Sequence, residues 1–320
     1  MVLDRRDSQR SSVLAFLAAQ LAASSRSGKA KPGAGKRRIP RRPYRDGVEL
    51  SVIGLGGVVV SGLEQQMANQ IVRESVERGV NYFDVAPTYG DAELKLGPAL
   101  EPFRNAVFLA CKTTKRDAKS AREELHRSLQ RLRTDHFDLY QFHGVSSMED
   151  VEQILSPGGA AEAFLEAREQ GKVRFLGLSA HAEGPAIALM ERFKCDSVLL
   201  PVNFVCLGQG DFGRKALEHA KQNGVTTLAL KAMAYTHWPE GMERPQPKCW
   251  YKPVTDPDLA RDALRFALSQ GITAAIPPGD ETLYQMALEL APDLAPLTPG
   301  ECEALMARTA GLDPLFGTPQ

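Results

Sequence analysis

Asp84, Tyr89, Lys112 and His143 stand at or just past the C-terminal ends of short apolar runs. The runs read Asn81-Tyr82-Phe83-Asp84, Val107-Phe108-Leu109-Ala110-Cys111-Lys112 and Phe137-Asp138-Leu139-Tyr140-Gln141-Phe142-His143. Tyr89 follows Asp84 by five residues, in Ala86-Pro87-Thr88-Tyr89-Gly90. A carboxylate, a phenol, an amine and an imidazole are the parts of a proton-transfer site, provided one fold gathers them. A phenol alone is a sluggish acid at neutral pH, with a pKa of roughly 10. A neighbouring ammonium lowers that value by favouring the phenolate. Lys112 is the candidate ammonium, and Asp84 the group that holds it charged and aimed. His143 is the candidate to orient an oxygen and share a proton relay.

The parallel strands of a (β/α)8 barrel bring their C-terminal ends to one mouth, where catalytic groups sit. From Val48 onward the chain alternates short β-branched runs with helical patterns. The pattern predicts strands at 51–55, 80–84, 107–112, 137–142, 173–178, 197–203, 225–231 and 272–276. It predicts helices at 65–78, 91–101, 118–132, 160–170, 184–193, 211–222, 257–269 and 281–290. Such an alternation fits one closed α/β barrel over residues 45–320, behind an N-terminal extension of residues 1–44. An open doubly wound sheet is the rival, but its phosphate fingerprint is missing. Gly54-Leu55-Gly56-Gly57 leads into Val58-Val59-Val60 rather than into a helix turn. Residues 233–256 hold both tryptophans, Trp238 and Trp250, and read as a long loop that shapes the mouth. Tyr140, Trp238 and Trp250 are candidate walls of an aromatic pocket. Residues 299–310 read as a terminal helix on the outside of the barrel.

The order of the four residues, with the string Asp84-Val85-Ala86-Pro87-Thr88-Tyr89-Gly90, resembles the aldo-keto reductase superfamily. The opening Leu50-Ser51-Val52-Ile53-Gly54-Leu55-Gly56-Gly57 and the string Val173-Arg174-Phe175-Leu176-Gly177-Leu178-Ser179 share the resemblance, which runs from about Arg45 to about Leu312. It implies a TIM barrel and an NAD(P)H-dependent oxidoreductase that reduces an aldehyde or ketone to an alcohol by hydride transfer. It implies Tyr89 as general acid, supported by Lys112, Asp84 and His143. A second role stays open on the same barrel: a cofactor-binding regulatory subunit with little turnover. A lyase or isomerase would need a phosphate or metal site, and no His/Asp/Glu cluster has metal-ligand spacing.

The resemblance also marks cofactor positions. Relatives hold the nicotinamide carboxamide with Ser-Asn after the fifth strand; here Ser179 is followed by Ala180 and His181. Asn203 is the candidate amide at the end of the sixth strand, and Phe204 a candidate to stack on the nicotinamide or to pack in the core. Lys231, at the end of the seventh strand, is a candidate for the pyrophosphate. Gly279, Asp280 and Glu281 open a helix after the eighth strand, and helix N-termini favour anions such as a cofactor phosphate. The family implies NADP(H). The acidic Asp280-Glu281 pair, with no Lys or Arg between Arg265 and Arg308, favours NAD(H). Both cofactors stay open.

The formal charge of zero conceals an asymmetry. Residues 1–45 carry twelve Lys/Arg against Asp4 and Asp7, and the remainder carries 27 bases against 37 acids. An acidic body argues against general nucleic-acid binding, which needs a basic surface. The partner expected is a small carbonyl substrate; the oligomeric state is not readable. The five cysteines, Cys111, Cys195, Cys206, Cys249 and Cys302, include no Cys-x-x-Cys pair and read as reduced or buried thiols. No apolar run reaches the roughly 18–20 residues that span a bilayer. Arg5-Arg6 ahead of the apolar stretch Val13–Ala23 has the layout of a twin-arginine-like export signal. The same segment also reads as an untargeted basic extension or, by its Arg and Ser content, as a transit peptide. The protein is therefore expected to be cytoplasmic, or exported if residues 1–44 act as a signal.

Overall fold

The computed structural model describes residues 37–317, and the expected export signal lies outside them. A hairpin comes first. β1 (Arg41–Arg45) and β2 (Val48–Ser51) pair antiparallel around the left-handed pair Asp46-Gly47. The folded unit begins at Arg38, so the expected boundary at residue 44/45 falls inside this hairpin. The cause is in its side chains. Arg42 Nη1 donates to the carbonyls of Leu268 and Ile272 at 2.7 and 2.8 Å, and Tyr44 OH donates to Ser197 Oγ at 2.9 Å. The Tyr44 ring sits edge-on to Phe108 and Phe175 at 5.0 and 5.3 Å, closing the bottom of the barrel.

Eight parallel strands follow: β3 (Leu55–Gly56), β4 (Tyr82–Asp84), β5 (Phe108–Thr113), β6 (Phe137–Val145), β7 (Val173–Ala180), β8 (Ser197–Pro201), β9 (Thr226–Leu230) and, last in the chain, β12 (Ala274–Ile276). Each pairs with its neighbour in chain order, and β12 pairs with β9. Gly54 N donates to Ala275 O and Ala275 N to Val52 O, both at 2.9 Å, which joins the last strand to the first and closes the ring. The single (β/α)8 barrel read from the sequence is therefore the fold. A short antiparallel pair, β10 (Ala234–Thr236) with β11 (Lys252–Pro253), orders the long loop after β9.

Period-two alternation along each strand decides what reaches the mouth. Phe108, Ala110 and Lys112 point inward on β5, while Leu109 and Cys111 face the helices. On β4 the inward positions are Tyr82 and Asp84. On β6 they are Leu139, Gln141 and His143. The lower layers hold apolar groups such as Phe108, Phe175 and Leu228, and the top layer is polar. Tyr140, offered above as a pocket wall, is on the outward face of β6. It packs on Phe137 and Phe164 under the helices, because its neighbour Gln141 takes the inward direction.

The outer layer comprises α1 (Gln65–Glu77), α2 (Ala92–Leu100), α3 (Ala118–Arg131), α4 (Met148–Leu155), α5 (Ala160–Glu169), α6 (Glu183–Arg192), α7 (Phe204–Gly208), α8 (Arg214–Gln222), α9 (Pro257–Ser269), α10 (Glu281–Leu290) and α11 (Pro299–Ala307). Capping side chains explain several starts. Asp117 accepts from Ser120 N, Asp256 from Leu259 N, and Ser147 forms a reciprocal box with Asp150. No helix among the described residues is long and apolar enough to cross a membrane.

Candidate active site

Four strand ends and one loop build the polar top layer. Asp84 ends β4 and is almost fully buried. One of its oxygens pairs with Lys112 Nζ. The other accepts from Tyr82 OH at 3.2 Å and from Gln141 Nε2 at 3.1 Å. Lys112, 0% exposed, also donates to Val85 O at 3.4 Å. A charged amine with no solvent access persists only when paired and hydrogen-bonded. Burial pulls the Lys112 pKa down; Asp84 and then Tyr89 more than offset it, so it lies above the ordinary lysine value.

Tyr89 sits on the loop after β4, with Lys112 Nζ 5.1 Å from its ring centroid. Gly90 follows at φ +62, and a Cβ there would lie 2.6 Å from Ser61 Oγ. Only glycine fits that close left-handed turn, which sets the tyrosine's direction. The expectation that Lys112 lowers the phenol pKa is met in direction but not in outcome. Burial dominates, Lys112 opposes it, and Asp84 adds to burial, so the Tyr89 pKa is raised. The phenol stays protonated at neutral pH and is available as a donor.

His143 presents its ring at right angles to Tyr89, with centroids 5.6 Å apart. Arg116, itself paired with Asp150, donates to the His143 carbonyl at 3.0 Å, and Ser179 Oγ accepts from Gly144 N at 3.0 Å. The imidazole is held to about 3 by burial first, then by the neighbouring basic groups Lys112, His181, Arg116 and Lys231. It is neutral, so it offers one N–H donor and not an imidazolium. Its Nδ1 is buried without a hydrogen-bond partner.

The structure brings all four expected catalytic residues together, with Ser179 and Lys231 beside them. Ser179 is buried at the end of β7, and its hydroxyl proton remains free to donate. Asn203 Oδ1 caps α7 by accepting from Val205 N and Cys206 N, while its buried Nδ2 has no partner. Of the two readings for Phe204, the structure shows core packing and not a free stacking face. Its ring is buried against Tyr235 and against Phe266 of α9, because the sixth strand stops at Pro201 and the chain turns into a helix. Gly279 leaves room for Val58, which a Cβ would meet at 2.4 Å. Asp280 caps α10 through Thr282 N and Leu283 N. Glu281 pairs with Lys248 at 2.6 Å, and that amine also donates to Val59 O at 2.9 Å.

Sequence reasoning missed Tyr82, Gln141 and Lys248. A Gln inside the apolar run of β6 was a signal for the second; nothing local marked Lys248, which returns from the long loop. Trp250 does reach the mouth, half-exposed, whereas Trp238 braces its own loop by donating to Cys249 O at 2.9 Å. Phe316, from the C-terminal segment, packs edge-on to Trp250 and stacks on His181.

The Aldo/keto reductase family profile matches residues 52–283. Aldo-keto reductase YhdN of Bacillus subtilis is 31% identical over 205 residues, covering 57% of this chain and 58% of that protein. The chain thus spans little more than half of that relative. The uncharacterized oxidoreductase YqkF of the same species is 25% identical over 303 residues, covering 82% of this chain and 94% of its own. Among solved structures, the holo form of an aldo-keto reductase from Bacillus halodurans superposes with a TM-score of 0.66 at 22% identity, covering 85% of this chain and 97% of that one. That last likeness supports the barrel and nothing finer. The family match covers the strand ends that carry Asp84, Tyr89, Lys112 and His143, and the chain belongs to the aldo/keto reductase family.

Proposed function

We propose that this barrel reduces an aldehyde or ketone to the alcohol, with a nicotinamide cofactor as reductant and Tyr89 as general acid. Family membership carries the nicotinamide-dependent oxidoreductase chemistry. The observation behind the finer reading is the buried Asp84–Lys112 pair aimed at the Tyr89 ring, with neutral His143 edge-on to the same ring. His143 N–H fixes the carbonyl oxygen. Tyr89 O–H delivers its proton to that oxygen, and the Lys112 ammonium stabilises the phenolate left behind. Asp84 keeps Lys112 charged without touching the substrate.

The residues present fit a nicotinamide cofactor. Asn203 Nδ2 is a buried donor without a partner, and the Ser179 hydroxyl proton is free on the neighbouring strand end. Both suit a carboxamide. When bound, the cofactor supplies hydride to the carbonyl carbon. Lys248 lies at the Gly279–Glu281 turn and offsets the charge of Glu281, with which it pairs. That base favours NADP(H), while the carboxylates of Asp280 and Glu281 keep NAD(H) as the alternative.

Titrating the full-length protein with NADPH and NADH, followed by tryptophan fluorescence and by turnover on an aldehyde panel, tests the reading. Binding with turnover is expected. Binding without turnover would favour the regulatory-subunit role, and binding of neither nucleotide would sink the oxidoreductase reading.

A further inference from the structure

Lys231 lies just past β9, at the mouth, in the left-handed region at φ +61. A lysine rarely adopts that backbone, and such strain gathers at functional sites. Its Nζ is 3.2 Å from His181 Nε2 and 5.5 Å from the ring centroids of both Trp250 and Phe316. Among the described residues, no carboxylate lies within 4.0 Å of it. The nearby acids are already taken: Asp84 by Lys112, and Asp150 by Arg116. Lys112 and Arg116 are thus neutralised and the His143 and His181 rings are uncharged, so Lys231 supplies the unpaired positive charge beside the oxygen that Tyr89 would protonate. A cleft lined by one sign of charge concentrates ligands of the other.

The cage has a definite shape. One ammonium and one imidazole form its polar end, and two aromatic rings form its walls. Trp250 is 49% exposed, so the cage is open to solvent on that side. One amine with a neutral imidazole matches a monoanion, where a phosphate dianion would demand more donors. The rings suit an apolar body attached to it.

We propose that Lys231, positioned by His181, anchors the carboxylate of the substrate, so that the preferred carbonyl compounds are oxo acids. This assignment rests on the reductase reading above. It places Lys231 in the substrate's site instead of at the cofactor pyrophosphate.

The test uses full-length protein and matched pairs: phenylglyoxylate with its methyl ester, and 4-formylbenzoate with its methyl ester. The expected wild-type result at about pH 6.5 is a kcat/KM at least about tenfold higher for each acid than for its ester. Lys231→Met should lower that acid-to-ester ratio by about tenfold or more, mainly through KM for the acid, and Lys231→Arg should restore most of it. His181→Asn should lower the ratio too, and serves if Lys231→Met does not fold. Benzoate binding, read by calorimetry, should weaken about tenfold in Lys231→Met.

A wild type that reduces esters as well as acids overturns the proposal. So does a Lys231→Met variant that loses acid and ester equally. Weakened nucleotide binding with an unchanged acid-to-ester ratio overturns it in favour of a pyrophosphate contact. If no carbonyl is turned over while benzoate still binds through Lys231, the reductase reading fails and the anion site stands.

Discussion

Replacing Asp84 by Asn removes one charge from the most buried ion pair of the site and leaves the shape nearly unchanged. Lys112, with no solvent exposure, then lacks its counter-ion. Breaking a buried pair from one side costs about 3–5 kcal/mol, and the amide keeps one acceptor, so a loss near about 3 kcal/mol is expected in chemical denaturation. The kinetic effect follows from distance. A unit charge 5.1 Å from the Tyr89 ring is worth about 3 kcal/mol at an effective dielectric of about 20. Where the variant's Lys112 loses its proton, kcat should fall by about two orders of magnitude. The sign of the pH effect also follows. In the wild type burial is the largest influence on Lys112 and lowers its pKa, but Asp84 and Tyr89 together more than offset it, so the amine is charged throughout the neutral range. In Asp84→Asn burial acts with less opposition, the pKa drops, and kcat declines with rising pH where the wild type is flat. The assay is kcat at saturating cofactor between about pH 6 and pH 9. A variant within about threefold of wild-type kcat, with no new limb in its profile, would refute the role given to the pair.

Other outcomes follow from the same geometry. His143 is held to about 3, so no limb near pH 6.5 should vanish in His143→Asn; one that does would place a charged histidine in the cycle. Burial lowers Lys231 to about 7, opposed by Cys206 and reinforced by Lys112, with His181, Trp250 and Phe316 the other groups facing it. KM for an oxo acid should therefore rise as pH passes about 7, while KM for its ester stays flat; parallel curves would contradict the carboxylate anchor. Tyr44→Ala opens the barrel floor and should cost about 3–5 kcal/mol in urea denaturation, with a loss below about 1 kcal/mol arguing that the hairpin is not part of the core.

How much was legible depended on whether the signal was local. Lys112 and Asp84 end apolar runs, and strand periodicity alone sends both to the mouth. Their meeting needed only the parallel register that pairs Asp84 with Ala110, two residues before Lys112 on the adjacent strand. The helices at 257–269 and 281–290 were readable to the residue because Asp256 and Asp280 cap them. The hairpin at residues 41–51 was not, since Arg42 and Tyr44 send these side-chain hydrogen bonds to residues about 150–230 positions away. The apolar run reads as strand through Asn203, whereas Asn203 caps a one-turn helix and turns the Phe204 ring to the core. Lys231, His181, Trp250 and Phe316 come from four separate segments, and no spacing in the chain announces that they meet. The net direction of the Tyr89 pKa also escaped, because neighbours can be guessed from sequence but burial cannot.

The central claim is that Tyr89 gives the proton that completes carbonyl reduction. Tyr89→Phe removes one hydroxyl oxygen from a half-buried ring and leaves the ring in place. Its single-turnover rate at saturating cofactor should fall by about 100- to 10,000-fold, with nucleotide affinity unchanged within about threefold. A variant that keeps more than about a tenth of the wild-type rate would contradict the assignment and move the acid to another group.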